Sequence, residues 1–277
     1  MPQVASITRF PLLPYLGFIR TSCLSMLAYR LRYYTGILNY MAFVSVNYFI
    51  WVAVFANQPA GSTIKGFTLP EMVTYVTIGW IARTVYFSNI HYDINEMVRT
   101  GEVTVHLMRP VSFQLMTLSN AIGEWVFRVF FLSLPVGVGL VLIFPVAPPA
   151  SLVDFGWFCW STVISFLVLS QVHFIVGLTA FYLHSINGII RATFYLVQLF
   201  SGLLLPIPFF PGWFRTLVEF MPFQLIAFTP LQFYLGKIPK SDWGSVLFSQ
   251  LAWTVVLFII GHLIWSRARS KVETQGG

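Results

Sequence analysis

The chain has 277 residues, of which 57% are hydrophobic, 18% aromatic and only 9% charged, and its formal net charge is +7. A soluble domain carries about 25% charged residues, so this composition excludes a protein whose whole surface faces water. Apolar runs of about 20 residues, the length that crosses a ~30 Å hydrocarbon core, recur along the chain and predict an all-α integral membrane protein. The basic residues stand at the ends of these runs and form no nucleic-acid patch,.

The first predicted element is a helix over residues 14–35 that lies in the cytoplasmic membrane interface. Arginines interrupt this segment and make it too polar to span the bilayer. At 100° per residue, one face of the helix consists of Leu16, Cys23, Leu27 and Tyr34,. An ordinary juxtamembrane leader is the alternative. No cleavable signal peptide is expected, because the first 35 residues lack an apolar run followed by a small-residue cleavage site,.

Six later segments are long and apolar enough to span the membrane. The predicted spans are 37–57, 69–90, 115–145, 152–182, 188–209 and 243–265,. The third and fourth exceed the usual length, which indicates tilt or extension beyond the bilayer. Residues 147–151, Ala-Pro-Pro-Ala-Ser, predict a tight turn between them,.

The basic residues orient these spans. With both termini in the cytoplasm, ten of the sixteen Lys and Arg residues lie on the inner side and four on the outer side. Cytoplasmic loops carry the excess of positive charge, so this arrangement is favoured. The inner residues are Arg9, Arg20, Arg30, Arg32, Arg99, Arg109, Arg191, Arg267, Arg269 and Lys271.

A polar loop over residues 93–110 joins the second and third spans on the inner side. Asp93 is predicted as the N-cap of a short helix over 94–100, with Glu96 at the spacing of a capping box,. Gly101 is placed to end that helix in a left-handed turn, and an extended stretch follows as far as Pro110. The sharp boundaries and mixed charges indicate a rigid element that docks into another protein. A solvated connector is the alternative.

Residues 210–236 are apolar but rich in proline, so a straight span is excluded there. Two short helices, at about 213–220 and 223–235, are predicted on either side of the break at Pro222. They would enter the outer leaflet and return. Irregular backbone at that depth is tolerated only against protein or a cavity, so the region is expected to cap a path.

Glu124 and Arg128 stand four positions apart in the third span and are predicted to pair on one helix face,. The preferred interpretation is structural, and a transport role is the alternative. Two histidines within spans, His173 and His262, are expected to make polar contacts between helices,. Phe and Tyr residues of the second and fifth spans could line a slot for an apolar or cationic substrate. Neither Cys23 nor Cys159 has metal-ligand spacing, and no metal site is predicted,.

Two motifs resemble permease subunits of prokaryotic type-2 ABC exporters, in the group related to drug and viologen efflux permeases. The first lies in the inner loop and comprises Arg99, Gly101, Glu102, Leu107, Met108, Arg109, Pro110 and Val111, with Met108 in place of a commoner leucine. The second lies near the outer side and comprises Pro211, Trp213, Pro222, Phe223, Pro230 and Gly236. Span number and chain length also agree with this family.

The resemblance implies a permease that forms the translocation path with a second permease, identical or different, in the prokaryotic inner membrane. Two cytoplasmic ATPase subunits would bind ATP and Mg²⁺, since this chain has no phosphate loop of its own,. The coupling site implied is Asp93, Glu96, Met97, Arg99, Gly101, Glu102, Arg109 and Pro110. The outer gate implied is Pro211, Trp213, Pro222, Phe223 and Pro230.

The substrate class implied is amphipathic, drug-like or lipid, and export of a polysaccharide or a lipid-linked glycan is the alternative. An intramembrane hydrolase is a hypothesis of another kind, because Ser201-Gly202 and His262 resemble part of a rhomboid-type site. Leu199 replaces the glycine expected two positions before that serine. A secondary carrier would show internal repeats or a buried ionisable cluster at a broken helix, and neither is evident in the sequence.

Overall fold

The structure is a computed structural model that describes residues 12–28, 31–59, 61–183 and 185–271. Within these ranges about 80% of the residues are helical and no strand occurs. The α-helices, in chain order, are α1 Leu12–Ala28, α2 Leu31–Phe55, α3 Leu69–Tyr86, α4 Ile90–Thr100, α5 Val103–Leu107, α6 Phe113–Arg128, α7 Leu134–Ile143, α8 Leu152–Leu178, α9 Asn187–Phe200, α10 Gly212–Glu219, α11 Phe228–Tyr234 and α12 Trp243–Ala268.

Helix α8 forms the centre of the bundle and packs against α3, α4, α11 and α12. Several polar side chains on this apolar helix form hydrogen bonds with neighbouring helices. Ser161 Oγ donates to Gln250 Oε1 of α12 at 3.0 Å. Gln171 Oε1 accepts from Gln114 Nε2 of α6 at 2.9 Å. These bonds fix α8 to the third and last apolar segments.

Four helical stretches in the described residues are long and apolar enough to cross a membrane: Gly36–Phe55, Phe113–Ile143, Leu152–Phe181 and Lys240–Ala268. The second predicted span contains α3, whose 18 residues include both Glu71 and Arg83. The helix in the fifth predicted span, 188–209, is shorter than the segment. It has 14 residues, or ~21 Å,, because the chain turns at Gly202, where φ is 80°.

The third predicted span is one helical run with a local defect. A π-helical turn at Val129–Ser133 joins α6 to α7. Pro135 follows this turn, and a proline ring clashes with the carbonyl four residues earlier, which widens the helix there,. Ser133 Oγ accepts from Thr84 Oγ1 of α3 at 2.6 Å, so the widened turn also contacts another helix.

Loops that alternate along the chain meet at the same end of the bundle. At one end, Lys237 Nζ pairs with Glu71 at 2.8 Å, and the backbone N–H of Ala147 donates to Thr74 Oγ1. At the other end, Val98 of α4 packs against Ile186, in the loop between α8 and α9. We call the second end the hairpin end, because α4 and α5 lie there.

The N-terminal segment is helical on both sides of residues 29 and 30. Helix α1 covers Leu12–Ala28 and residues 31–35 belong to α2, so every described residue of the predicted helix over 14–35 is helical. Residues 29 and 30, Arg9 and the side chain of Tyr34 lie outside the described residues. Leu16 and Leu27 of the predicted face are exposed and Cys23 is half-buried. Helix α1 lies along α6, where Ser22 Oγ donates to the Asn120 carbonyl at 2.8 Å.

The proline-rich region breaks where predicted, at Met221-Pro222, after α10. The predicted second helix over 223–235 is wrong, because this piece is divided into a 3₁₀ turn at Pro222–Leu225 and the separate helix α11. Pro230 explains the division. Proline cannot sit in a helix interior but is tolerated in the first turn, so the helix restarts at Phe228,.

Candidate functional site, the hairpin between α3 and α6

The polar loop of the sequence forms a helical hairpin, α4 and α5, which we call the α4–α5 hairpin. The first helix begins at Ile90, four residues before its predicted start, and its N-terminal neighbour Asn89 makes no side-chain cap. Asp93 is therefore not the N-cap but a residue of the first turn. Glu96 makes no capping box either, since it pairs with Arg99 instead. The earlier start follows from burial of Ile90 and His91, which the capping pattern does not report.

The buried face of α4 is seated on α8. Ile90 and Ile94 are fully buried there. A Cβ atom on Gly177 of α8 would lie 2.9 Å from Ile94 Cδ1 and 3.1 Å from the His91 Cα. Only a residue without a side chain allows this approach. The hairpin is thus fixed to the central helix rather than suspended as a linker.

Gly101 ends α4 in the left-handed conformation predicted for it, with φ of 79°. The stretch after Gly101 was predicted to be extended, and this prediction is wrong. It forms the short helix α5, of about one and a half turns,. Thr104 Oγ1 donates to the Gly101 carbonyl at 2.6 Å, which stabilises this turn. Two residues of α1 contact the segment that leads from α5 to α6. The hydroxyl of Tyr15 accepts from the Ser112 N–H at 3.1 Å. The Phe18 ring lies 5.8 Å from the Arg109 guanidinium carbon.

The outer face of the hairpin combines charged and apolar side chains. Glu96 and Arg99 form an exposed ion pair at 2.7 Å. Glu102, Arg109 and Pro110 are also exposed, whereas Asp93, Met97 and Gly101 are partly buried. Two apolar side chains stand among them, with Met108 77% and Val105 50% exposed. A surface of this composition resembles a protein contact more than a solvated connector. No group of three potential metal ligands occurs in the described residues.

A buried polar cluster connects the base of the hairpin to α6. Asn89 Nδ2 donates to Glu124 Oε2 at 3.2 Å. Arg128 Nη2 donates to the Phe87 carbonyl at 2.5 Å, and its guanidinium carbon lies 5.5 Å from the Phe87 ring centre. Burial, together with the negative charge of Glu124, raises the pKa of Asp93 to about 7, and Arg128 opposes this shift. Direct pairing of Glu124 with Arg128 stays a prediction, but both hold the segment that enters α4.

Two histidines lie at the junction of the hairpin with α8. The rings of His91 and His173 are 4.0 Å apart, centre to centre, and Ser88 Oγ lies 2.9 Å from His173 Nδ1. Burial lowers the pKa of His91 to about 4. The polar contact predicted for His173 is confirmed, while His262 is exposed on α12. Nothing in the sequence links His173 or Gly177 to the loop, since only the fold brings α4 onto α8.

The residues predicted for the outer gate do not form one surface. Trp213 on α10 is 74% exposed, whereas Pro222 and Pro230 are buried. Phe223 is half-buried and packs 5.9 Å from the ring of Phe200 at the end of α9. Pro211 is exposed before α10. The exposed helix α10 and the buried helix α11 are therefore separate parts of this region.

Comparison with known families decides the class of protein. A family model described as ABC-2 family transporter protein matches residues 41–276, most of the chain. The chain belongs to this ABC-2 family. Comparison with curated proteins gives no match. The α4–α5 hairpin, both residue motifs and all helices from α3 onward lie inside the matched region.

Membership makes this ABC-2 protein an integral membrane permease of an ABC transporter and implies association with an ABC ATPase. The hydrolase hypothesis loses its basis with this assignment. Ser201 Oγ is buried and directed at the carbonyl of Gln198 in its own turn, at 3.4 Å, while His262 is exposed on α12. A secondary carrier is likewise no longer required to explain a transport function.

Proposed function

We propose that this ABC-2 permease is the membrane subunit of an ATP-driven exporter of the prokaryotic inner membrane, in the group related to drug and viologen efflux permeases. It works with a second permease, identical or different, and with two cytoplasmic ATPase subunits that bind ATP and Mg²⁺. Its cargo is amphipathic, either drug-like or lipid. The α4–α5 hairpin receives the movement of the ATPase and transmits it to the bundle.

The observation that carries this proposal is the two-sided construction of the hairpin. Its inner side is pressed on Gly177 of α8 and tied to α6 through Asn89 and Glu124. Its outer side presents Glu96, Arg99, Met108 and their exposed neighbours. The hairpin packs tightly against the bundle on one side, and its other side is exposed. An element of this kind can pass a displacement to the helices that hold it. A flexible linker could not do so.

Six crossings with both termini in the cytoplasm remain our proposal for the topology. The arrangement of α9 supports it, although the helix is short. Its first residues pack near Val98 at the hairpin end. After its last turn, the Ser201 carbonyl accepts from the Phe228 N–H at 2.9 Å, and the Gly202 carbonyl accepts from the Tyr75 hydroxyl at 2.6 Å. The residues after α9 thus approach the opposite end through α3 and α11.

Two matched substitutions test the hairpin as the ATPase contact. Glu96 and Glu219 each form an exposed ion pair at 2.7 Å on a helix surface, with Arg99 and Arg215 respectively. Glu96→Arg removes the ion pair with Arg99 and places two arginines side by side on the hairpin. Glu219→Arg does the same beside Arg215 on α10. We expect Glu96→Arg to reduce recovery of the ATPase with the tagged permease at least about tenfold, because like charges at an interface cost several kcal/mol and about 1.4 kcal/mol is already tenfold.

Glu219→Arg is expected to retain normal recovery of the ATPase. Membrane insertion of both variants, measured by the amount of folded chain extracted from membranes, is expected to match the wild type. Equal ATPase recovery for the two variants would exclude the hairpin face around Glu96 as the contact.

Export of a polysaccharide or lipid-linked glycan is a second candidate, and one cavity favours it. A cavity of about 320 Å³ lies between α11, the preceding 3₁₀ turn and α12, and is partly open to the outside. Its polar lining is uncharged, as suits the hydroxyl groups of a sugar, and consists of Gln224, Thr229, Gln232, Ser245 and Ser249. Transport of a labelled glycan by the reconstituted complex, reduced by Gln232→Leu, would favour this cargo over a drug-like one.

A further inference from the structure

The cavity between α11, the 3₁₀ turn before it and α12, which we call the α11–α12 cavity, contains a buried hydrogen-bond donor without a partner. Gln232 of α11 lines the cavity and is only 9% exposed, yet its Nε2 makes no hydrogen bond within the described residues. Buried N–H donors are normally paired, because they have given up their hydrogen bonds to water. The volume of about 320 Å³ lies within the range of ligand sites, roughly 300–1,000 Å³,. The unpaired donor therefore indicates a ligand that accepts a hydrogen bond.

Two hydroxyl groups of the cavity wall can only accept hydrogen bonds from a ligand. Thr229 Oγ1 donates to the Gln224 carbonyl at 3.2 Å, and Ser245 Oγ donates to the Asp242 carbonyl at 2.8 Å. Each hydroxyl has a single hydrogen, which is already used, so only its oxygen lone pairs remain. A ligand that pairs with all three groups accepts from Gln232 and donates to the two hydroxyls. Hydroxyl groups do both, whereas a carboxylate only accepts and an ammonium only donates.

The rest of the lining is uncharged and partly apolar. No charged side chain lines the cavity in the described part of the chain, so an ionic headgroup would lose solvation there without gaining a partner. Leu225, Phe228 and Val246 supply apolar contacts beside the polar groups. A sugar ring matches this combination, because it carries hydroxyl groups around its rim and C–H groups on its faces.

The side of α12 that lines the cavity continues as an exposed apolar stripe. Ser249 lines the cavity, and Val256 and Leu263 follow at intervals of seven residues, which places them on the same side of the helix. They are 43% and 52% exposed. The distance from Ser249 to Leu263 along the axis is about 21 Å, which exceeds the ~15 Å of hydrocarbon in one leaflet. An amphiphile with its headgroup in the cavity can therefore place its apolar chain along α12.

We propose that the α11–α12 cavity binds the uncharged sugar headgroup of a transported glycolipid, and that Gln232 is its hydrogen-bond donor. The Gln232 carbonyl accepts from the Lys237 N–H at 2.9 Å, and Lys237 pairs with Glu71 at the end of the bundle opposite the hairpin. The site thus lies where a molecule that is carried outward is released. This assignment of the cargo rests on the transport function proposed above, and it selects a neutral amphiphile over an ionic one.

Photolabelling with matched probes tests the site. The intact transporter complex is placed in nanodiscs of phosphatidylcholine, which contain no glycolipid. Three dodecyl probes carry a diazirine next to the headgroup and differ only in that headgroup: glucose, glucuronic acid or cyclohexane. Labelling of the peptide that contains Leu225 and Phe228 is divided by labelling of Val54, an exposed residue at the end of α2 outside the cavity. This ratio corrects for unequal uptake of the probes into the bilayer.

We expect the ratio for the glucose probe to exceed the other two at least about tenfold. Cyclohexane makes none of the hydrogen bonds, and the carboxylate of glucuronic acid loses solvation. Gln232→Leu is expected to lower the glucose ratio about fivefold, because it removes the unpaired donor. Gln198→Leu is the matched control, since Gln198 is also a buried glutamine but belongs to α9, outside the cavity. It should leave the ratio unchanged.

If Gln232→Leu fails to fold, the headgroup comparison in the wild type and Ser249→Ala still decide. Ser249→Ala removes a single oxygen from the cavity wall and is expected to lower the glucose ratio two- to threefold,. Equal ratios for the three probes would overturn the assignment, as would equal ratios for the wild type and a folded Gln232→Leu variant.

A transport assay distinguishes cargo from a resident glycolipid. The complex is reconstituted in liposomes with its ATPase subunits on the outside, and a dodecyl glucoside with a fluorophore on its chain is added. ATP is expected to move this probe to the inner leaflet, where external dithionite cannot reduce the fluorophore. Labelling of the cavity without ATP-dependent protection would overturn the cargo assignment. The proposed function fails separately, through absence of the ATPase from the purified complex, which is seen before any probe is added.

Discussion

The seat of the α4–α5 hairpin on α8 gives the sharpest prediction of stability. Gly177→Ala places a Cβ atom 2.9 Å from Ile94 Cδ1 and 3.1 Å from both Ile94 Cβ and the His91 Cα. The first of these atoms is the end of a flexible side chain, but the last belongs to the backbone and moves only with the helix. Overpacking of this kind costs about 1–3 kcal/mol. We therefore expect the apparent Tm of the purified chain to fall by several degrees.

Ile94→Ala perturbs the same contact from the other side. It removes the side-chain atoms of a fully buried isoleucine, which costs about 2–5 kcal/mol alone,. In the double variant, the new Cβ at position 177 occupies part of the space that Ile94 leaves. The combined loss is expected to be smaller than the sum by about 0.5 kcal/mol or more.

Apparent Tm, followed by tryptophan fluorescence, measures all three variants. Gly156→Ala on the same helix is the control, because no atom lies within 4 Å of a Cβ at that position. It is expected to leave Tm unchanged or slightly raised. If Gly177→Ala behaves like Gly156→Ala, or if the two losses at positions 94 and 177 simply add, α4 is not pressed on α8 as described.

Two further predictions concern the hairpin. Because the folded-state pKa of Asp93, about 7, is above the usual aspartate value of about 3.9, the protonated carboxyl stabilises the fold at low pH. This stabilisation is lost between about pH 3.9 and about pH 7. Apparent Tm should therefore fall over this pH range more in the wild type than in Asp93→Asn. Parallel pH profiles of Tm would contradict the burial of Asp93. Gly101→Ala forces a side chain into the left-handed region at about 1–2 kcal/mol and should reduce ATPase activity of the complex. Gly101→Asn, which tolerates that region, should reduce it less, and equal losses would show that φ is not the cause.

Local patterns predicted local structure well. The helix end at Gly101 and the break at Pro222 were predicted and are observed, because glycine and proline act through the backbone of their own segment,. The start of α4 was predicted wrongly at Asp93. A capping pattern predicts hydrogen bonds between residues close in sequence. The observed start of α4 depends instead on burial of Ile90 against another helix.

The candidate sites divide in the same way. The exposed residues of the hairpin, such as Glu96 and Arg109, were found from the sequence because charge is rare in an apolar chain. The contact of α4 with Gly177 was not predicted, since α4 and α8 are distant in sequence. The contact of α1 with α6 was not predicted, because it joins two helices distant in sequence.

The sequence by itself determined that this chain is a helical membrane protein with a polar, punctuated loop between two apolar segments. Composition and run length are sufficient for that conclusion, because the bilayer excludes unpaired backbone groups whatever the packing. Only the tertiary structure decided what the hairpin rests on. That depends on close contact between helices at Gly177, and contacts of this kind are set by the whole bundle rather than by any one segment.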